Sequence, residues 1–453
     1  MKPLARKPRD RPPGSRLTVA SGAATIMSGQ LATYALGFPA SIVIARALGA
    51  EGRGLYYLPV IAATTCVSLF NLSIENANTV LVSERKYSLP QIARNASLMA
   101  CLLGPLAVAL MLVLWPVLDT TVFHGVAFGD YVIAVATIPF SLHLLWLSNV
   151  FLLGRRPGLS QAALLAGAVI QLAGVAIGYA GGFLGVTQVL VLYAAMVVVP
   201  WLLLVWWSAR VAPVRPLLDR TLARAVTGLG LKLHFGLISS FLLLRFDVFL
   251  VNLYRNPTDV GVYSVAVLFA ELAWFLTSPL SQAILPFQAE LSARHASPLA
   301  FKAARFNVAV VLALSALFAA TLWFLLPRLY GAQFGNAYPA LLLLLPGIAG
   351  VSLARPLMPV VTRLGRPLLY SAMLLVAFLL NTAINVALIP AIGINGASIA
   401  SSVAYVALAT VSAAWVLRAG GLTAREALVP NRSDIATAHA ALSDLKARVA
   451  ARA

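Results

Sequence analysis

Two charged side chains, Arg245 and Asp247, interrupt the apolar stretch from Leu242 to Asn252. A charge at bilayer depth costs roughly 3 kcal/mol on insertion scales, so such residues usually face a protein interior or a water-filled cavity. Residues two apart point to nearly opposite faces of a helix, which keeps this pair from simply neutralising each other. The stretch predicts a lined pathway through the membrane, and the alternative is an ion pair that joins two helices.

A second arginine, Arg355, lies in another apolar stretch, immediately before Pro356. Proline bends a helix and frees backbone groups, and broken, charged helices are typical of transporter sites. The planar guanidiniums of Arg245 and Arg355 suit bidentate contact with phosphate oxygens. We therefore predict that these two residues bind an anionic substrate. The alternative is an arginine that extends toward the membrane surface.

Intramembrane carboxylates are candidate proton or cation sites. Glu75 and Glu271 lie in apolar segments, each in a row of polar residues at helical spacing that also includes Asn71 and Ser264. With Asp247, these two glutamates form the predicted ion-coupling set. Asn71 is predicted to bind substrate, although polar side chains of this kind also bridge packed membrane helices.

The composition indicates a polytopic membrane protein that is all α-helical. Of 453 residues, 60% are hydrophobic and 10% are charged, whereas soluble domains are about 25% charged. The sequence has no C-x-x-C, no H-E-x-x-H and no Walker-type loop, so we expect neither a metal site, nor a cofactor, nor internal ATP hydrolysis.

The net charge of +19 is explained by its distribution along the chain. Most basic residues fall in the tails and alternate loops of one membrane face, as the positive-inside rule requires. That face is predicted to be cytoplasmic and to carry both termini. Contacts with membrane lipids follow from this arrangement, and nucleic-acid binding does not need to be invoked.

Apolar segments of spanning length predict about twelve transmembrane helices. The predicted organisation is a basic cytoplasmic tail at 1–17, a six-helix lobe at 18–209, a cytoplasmic linker at 210–232, a second six-helix lobe at 233–417 and a cytoplasmic tail at 418–453. In that last tail, Ile435, Leu442, Leu445 and Val449 predict an amphipathic helix on the membrane surface.

The two predicted lobes share short motifs in the same order. Gly54-Leu55-Tyr56 corresponds to Gly261-Val262-Tyr263, which lies 207 residues later. Leu153-Gly154-Arg155 similarly corresponds to Leu364-Gly365-Arg366. We interpret these matches as a duplication that gives two pseudo-symmetric lobes around a central cavity, with the substrate site between them.

Several of these motifs together resemble a known family. Ala45-Arg46-Ala47-Leu48-Gly49 followed by Gly54-Leu55-Tyr56, the Arg-x-Asp of 245–247, and Asn381 to Pro390 followed by Gly393 and Gly396 are similar to the polysaccharide flippases of the multidrug/oligosaccharidyl-lipid/polysaccharide exporter superfamily. The resemblance extends over residues 20–417.

The resemblance implies transport of an undecaprenyl-pyrophosphate-linked oligosaccharide from the inner to the outer leaflet of a bacterial cytoplasmic membrane, by alternating access coupled to an ion gradient. Arg46, at the outer end of the first span, would receive the headgroup, and a polysaccharide polymerase would be a partner. The alternatives are a multidrug exporter of the same superfamily and a membrane glycosyltransferase or polymerase. Such enzymes usually need a sizeable outer loop, and the predicted outer loops are short, so we expect a transporter and not an enzyme.

Overall fold

The computed structural model describes residues 14–209, 212, 215–275, 277, 293–363 and 367–429. These residues form fourteen α-helices and one short 3-10 helix, at Ala332–Phe334, and contain no β-strand. The α-helices are α1 (Gly14–Phe70), α2 (Ile74–Ser83), α3 (Leu89–Thr120), α4 (Phe128–Val135), α5 (Ile138–Leu153), α6 (Pro157–Ala180), α7 (Val186–Ser208), α8 (Arg220–Tyr254), α9 (Pro257–Phe275), α10 (Ala293–Tyr330), α11 (Ala337–Arg363), α12 (Pro367–Ile392), α13 (Ile394–Gly420) and α14 (Ala424–Leu428).

Twelve membrane crossings follow from these helices, as predicted. Eleven helical stretches of the described chain are long and apolar enough to span, and the first, Thr25–Ser83, has 59 residues. That stretch folds back on itself at Gly49, where φ is 70° and ψ is −173°. Arg53 Nη1 consequently donates to the carbonyl of Ser41 at 2.8 Å, although a straight helix would separate these residues by about 18 Å. The all-α, polytopic fold class is confirmed.

The predicted span at 54–82 is not one continuous helix. It breaks between α1 and α2, where Leu72 and Ser73 have φ values of 50° and 52°. A non-glycine residue in this left-handed region costs roughly 1–2 kcal/mol, and such strain is concentrated at functional sites. The break therefore marks a position to examine for function.

Other predicted boundaries differ from the structure. Helix α8 begins at Arg220, inside the predicted linker at 210–232, because the side chain of Asp219 caps its N-terminus by accepting from the backbone N–H groups of Thr221 and Leu222, each at 3.0 Å. The predicted span at 260–288 is described as α9 only as far as Phe275. The amphipathic helix predicted in the C-terminal tail and the first thirteen residues lie outside the described part.

Helix α3 has one face suited to contact with lipid and another that packs against the protein. Its large apolar side chains Leu102, Leu106, Val113 and Val117 are more than half exposed, whereas the small residues Ala93, Ala96 and Ala107 are fully buried. Small residues allow membrane helices to approach closely, and exposed apolar ones suit lipid tails. The same division of faces positions the polar residues described below in the protein interior.

The N-terminal half (α1–α7) and the C-terminal half (α8–α14) touch at a pair of glycines. A Cβ on Gly54 would lie 1.8 Å from the carbonyl oxygen of Pro257, and a Cβ on Gly261 would lie 1.8 Å from that of Ala50. Only glycine fits such a contact, because here backbone packs directly on backbone. We call this contact, formed by Gly54 and Gly261 with Ala50 and Pro257, the glycine seal; it lies toward the membrane face opposite the one that carries the basic loops.

Candidate functional site

Both arginines predicted to bind substrate contact the same face of α9. Glu271 forms an ion pair with Arg245 of α8, with Nη1 to Oε1 at 2.9 Å and Nη2 to Oε2 at 3.0 Å. The two side chains are about one quarter exposed, so the pair is neither sealed in the core nor free in solvent. Two parallel N–H to oxygen contacts are the strong geometry for an arginine and a carboxylate. Glu271 is therefore held by Arg245, and Arg245 is not neutralised by Asp247.

Arg355 of α11 reaches the same face one helical turn further on. Its Cζ atom lies 3.3 Å from the centre of the Trp274 ring, and residues 271 and 274 are neighbours on a helix surface. A guanidinium stacked on an indole ring keeps its N–H groups free at the edge for an acceptor. Within the described ranges no carboxylate pairs with Arg355.

The N-terminal half contributes an aromatic side chain next to these residues. The ring of Tyr34, on the first arm of α1, lies 4.0 Å from the ring of Phe275 between centroids, and Tyr34 is half exposed. We call Tyr34, Arg245, Glu271, Trp274 and Arg355 the arginine cluster. With two guanidiniums and one carboxylate, it carries a net charge of +1, and it lies between the two halves.

Asp247 occupies a separate, buried environment in the C-terminal half. It is 2% exposed and accepts hydrogen bonds from the hydroxyl of Tyr263 at 2.5 Å and from the hydroxyl of Ser401 at 3.2 Å. Its other oxygen accepts from the backbone N–H of Val248 at 2.9 Å. The direct hydrogen-bond donors of this carboxylate are neutral, so Asp247 has no ion-pair partner in contact with it in the described structure.

A polar network extends from Asp247 into α12. Asn381 donates to the Ser401 hydroxyl at 3.2 Å, and Asn385 donates to the Asn381 carbonyl oxygen at 2.8 Å. The side-chain oxygens of Asn385 and Thr382 are buried and have no hydrogen-bond partner. The network thus joins α8 through α13 to α12.

A small cavity of about 20 Å³ joins these two environments. Asp247 and Tyr263 line it on one side, and Glu271 and Trp274 line it on the other. A space of this size holds about one water molecule. The charge on Asp247 is therefore one small cavity away from the arginine cluster.

Glu75 and Asn71 are not part of the arginine cluster and lie at the break between α1 and α2. Asn71 is 4% exposed; its amide nitrogen donates to Glu75 Oε1 at 3.1 Å, and its carbonyl oxygen accepts from the indole N–H of Trp146 at 2.7 Å. Its amide is thus buried and occupied by these two contacts, and its role in substrate binding stays a prediction. It positions Glu75.

Arg46 also has a different environment from the predicted one. Its Nε donates to the carbonyl of Leu329 at 2.7 Å, and its Nη2 donates to the carbonyl of Arg328. These carbonyls end α10 and would otherwise lack partners. Arg46 thus links α1 to the C-terminal half, and its role in receiving the headgroup stays a prediction.

The sequence interpretation missed Arg53, which it placed in the loop between the first two spans. In the structure Arg53 is 7% exposed and donates to the hydroxyl of Ser264 in α9 at 2.8 Å, in addition to its bond with Ser41. It lies next to Gly54 of the glycine seal. The signal that could have identified it is its neighbour, since Gly54 belongs to the repeated motif.

The fold was compared with known proteins. The sequence matches no protein-family model and no curated protein sequence. It is similar in structure to an inward-facing multidrug resistance MATE family transporter of the MOP superfamily, with a TM-score of 0.70 and 14% identity over 88% of this chain and 98% of that one. It is likewise similar to the lipid II flippase MurJ in an inward closed conformation, with a TM-score of 0.71 and 11% identity over 89% of each chain.

The chain has the fold of these transporters. An outward-facing multidrug resistance MATE family transporter gives a lower TM-score of 0.61, at 14% identity over 89% of this chain and 96% of that one.

Proposed function

We propose that the chain is a flippase that moves an undecaprenyl-pyrophosphate-linked oligosaccharide across the bacterial cytoplasmic membrane by alternating access. The single observation that carries the proposal is the arginine cluster, in which Arg245 of α8 and Arg355 of α11 contact Glu271 and Trp274 on successive turns of α9. A pyrophosphate that leaves water needs charge-assisted donors. Arg355 offers such donors directly.

The ion pair in the cluster supplies a second donor when substrate arrives. Arg245 is held by Glu271 in the absence of substrate, so it is kept charged and oriented without an unpaired charge in the membrane. A pyrophosphate carries more than one negative charge and competes with Glu271 for the same guanidinium. We infer that binding shifts Arg245 from the carboxylate toward the phosphate.

Coupling to an ion gradient is assigned to Asp247. Its carboxylate is surrounded by neutral donors and shares the small cavity with Glu271. A proton or monovalent cation that binds Asp247 changes the charge next to the Arg245–Glu271 pair. This change gives the ion a differential interaction with substrate-bound and substrate-free states, which any coupling mechanism requires.

The fold is shared with transporters, which favours a transporter over an enzyme. The identity of the substrate is a separate part of the proposal. MurJ is described as a lipid II flippase, and lipid-linked substrates are the class for which a cationic cluster is suited. The proposal has both termini in the cytoplasm, which the distribution of basic residues supports. A polysaccharide polymerase would take up the product in the outer leaflet.

The test is transport of a fluorescent undecaprenyl-pyrophosphate oligosaccharide in proteoliposomes. The double variant R245Q/R355Q should lose most of the flipping rate at equal reconstitution. The control is R328Q, because Arg328 also stacks on an aromatic ring, with Cζ 3.3 Å from the centre of Phe324, but lies at the exposed end of α10. Normal flipping by R245Q/R355Q, or an equal loss in R328Q, would refute the phosphate-binding role.

A multidrug exporter is the second candidate, favoured by the similarity to MATE family transporters. Such a protein would bind its substrate through Glu271 and the aromatic rings of Tyr34 and Trp274, since aromatic faces attract cations. Efflux of a fluorescent cationic dye separates the two candidates. Dye efflux that survives in R245Q/R355Q and is lost in E271Q would favour the exporter.

A further inference from the structure

Arg53 is a buried guanidinium at the contact between the two halves, beside the glycine seal. It is 7% exposed and donates from Nε to the Ser264 hydroxyl and from Nη1 to the Ser41 carbonyl, both at 2.8 Å. Its Cζ atom lies 5.6 Å from the centre of the Tyr330 ring. These partners are neutral, and no carboxylate forms an ion pair with Arg53 in the part of the chain that the structure describes. A buried charge without a counter-charge is costly, and within a membrane it usually marks a functional site.

One face of α1 leads from the arginine cluster to Arg53. Tyr34 of the cluster is followed by Phe38 and then by Ser41, and side chains at these spacings are neighbours on a helix. In that order, the three side chains contact Phe275, Phe269 and Tyr330 of the C-terminal half. Seven helical residues span about 10 Å. Because Arg53 contacts Ser41, it lies roughly that far beyond the arginine cluster, toward the membrane face opposite the basic loops.

Opening of the glycine seal would uncover Arg53. Its partner Ser264 also donates to the carbonyl of Gly261 at 2.7 Å, and Gly261 packs against Ala50 of α1 in the seal. Separation of α1 from α9 at the seal therefore also separates Arg53 from Ser264. The contact with Ser41 lies within α1 and is kept, so the guanidinium would present its Nε–H to the space between the halves.

We propose that Arg53 is a second binding position for the pyrophosphate of the substrate, reached after the arginine cluster when the halves separate at the glycine seal. This inference rests on the proposed function. A planar guanidinium forms paired hydrogen bonds with phosphate oxygens, and the anion supplies the counter-charge that Arg53 lacks while the seal is closed. The pyrophosphate would then pass between two cationic positions about 10 Å apart and would not have to cross the apolar region unpaired.

The test is equilibrium binding of radiolabelled inorganic pyrophosphate to the purified full chain. The background is R245Q/R355Q, because these changes remove the two guanidiniums of the arginine cluster. Saturable binding should remain in this background. It should become tighter when G261A is added, because apparent affinity rises with the population of the state that can bind. Adding R53Q should weaken binding at least tenfold, with or without G261A.

The matched control is R328Q, because Arg328 also contacts an aromatic ring, that of Phe324, but lies at the exposed end of α10. It should bind pyrophosphate like the background. R53K keeps the charge but loses the planar fork, so its affinity should fall between those of the background and R53Q. Thermal unfolding guards against misfolded variants. Pyrophosphate should raise the unfolding temperature of R328Q and leave that of a folded R53Q unchanged, because a ligand stabilises only the state that binds it.

An Arg53 that only holds the seal closed would give a different result. R53Q would then open the seal and bind pyrophosphate at least as tightly as the background, and this outcome overturns the proposal. Absence of saturable binding in R245Q/R355Q, both with and without G261A, overturns it as well. A chain that binds pyrophosphate through Arg53 but does not flip lipid-linked sugar would refute the proposed function alone, whereas normal flipping by R53Q would refute the second position alone.

Discussion

Replacing Gly261 by alanine should shift the chain away from the conformation described above. The new Cβ would lie 1.8 Å from the Ala50 carbonyl oxygen and 3.0 Å from the Gly54 nitrogen. A carbon and an oxygen rest at about 3.3 Å or more, so α1 and α9 must separate by roughly 1.5 Å. Backbone atoms cannot move aside as a flexible side chain would, which makes this contact less tolerant than most.

The magnitude follows from the cost of overpacking, which is typically about 1–3 kcal/mol. If the halves separate at the glycine seal in the other conformation, the added Cβ destabilises only the conformation in which the seal is closed. A free-energy change of this size shifts a two-state equilibrium by about 5–150-fold. We therefore expect G261A to populate an outward-open state that the wild-type chain visits rarely.

The assay is a distance measurement between two spin labels at the outer ends of the halves. Phe183 and Ile392 are exposed positions at helix ends of the N-terminal and C-terminal halves, and their cysteine variants would be labelled after Cys66 and Cys101 are replaced. G261A should lengthen the mean distance.

The matched control for this measurement is G129A. A Cβ on Gly129 meets no atom within 4 Å, so this variant should retain the wild-type distance distribution. G54A provides an independent second test, because its Cβ meets the Pro257 carbonyl oxygen at the same 1.8 Å. A wild-type distance distribution in folded G261A and G54A would show that the seal is not a moving contact, and the reasoning would fail.

Three further predictions concern other contacts. D247N should abolish gradient-driven uptake while downhill exchange of substrate continues; equal loss of both activities would argue against a coupling role. E271Q should lower the midpoint of thermal unfolding, because it leaves the charge of Arg245 unpaired in a partly buried site. The double variant R245Q/E271Q should regain thermal stability but not transport. Recovery of transport in the double variant would count against Arg245 as a ligand. R305A should loosen α14, since Arg305 donates to the carbonyls of Glu426 and Ala427, and proteolysis after α13 should become faster; unchanged cleavage would contradict this.

The sequence predicted the fold class well because the bilayer imposes strong rules. Spans need about twenty apolar residues, and loops follow the distribution of positive charge. These rules gave twelve crossings and located the two arginines inside spans. They carry no information about helix ends within water-accessible loops, and so they missed the early start of α8, which depends on one aspartate cap.

The partners of the charged residues were harder to predict. Sequence spacing showed that Arg245 and Asp247 diverge, but it could not show that Arg245 pairs with Glu271, 26 residues away, or that Tyr263 and Ser401 donate to Asp247. Such pairings depend on the rotation of each helix about its axis. Packing sets that rotation, and no local pattern records it.

Arg46 and Arg53 show the same difficulty within one short segment. Both follow from the turn at Gly49, whose positive φ allows the two arms of α1 to fold together. The fold directs the Arg46 side chain to the end of α10 and the Arg53 side chain to Ser264 of α9. Two arginines seven residues apart thus both bridge the halves, although the sequence placed one as a ligand and the other in a loop.

The polar sites are distributed unequally between the two halves. The arginine cluster and Asp247 belong mainly to the C-terminal half, and they share a cavity through Glu271. The N-terminal half contributes Tyr34 to the cluster, and its own carboxylate, Glu75, lies at the break that packs against Gly230. In the function proposed above, a charge change at Asp247 acts on the Arg245–Glu271 pair through the shared cavity, whereas Glu75 lies where a charge change would act on the contact between the halves. On that proposal, an ion at Asp247 changes the affinity for substrate, and movement of the halves requires a contribution from the N-terminal half as well.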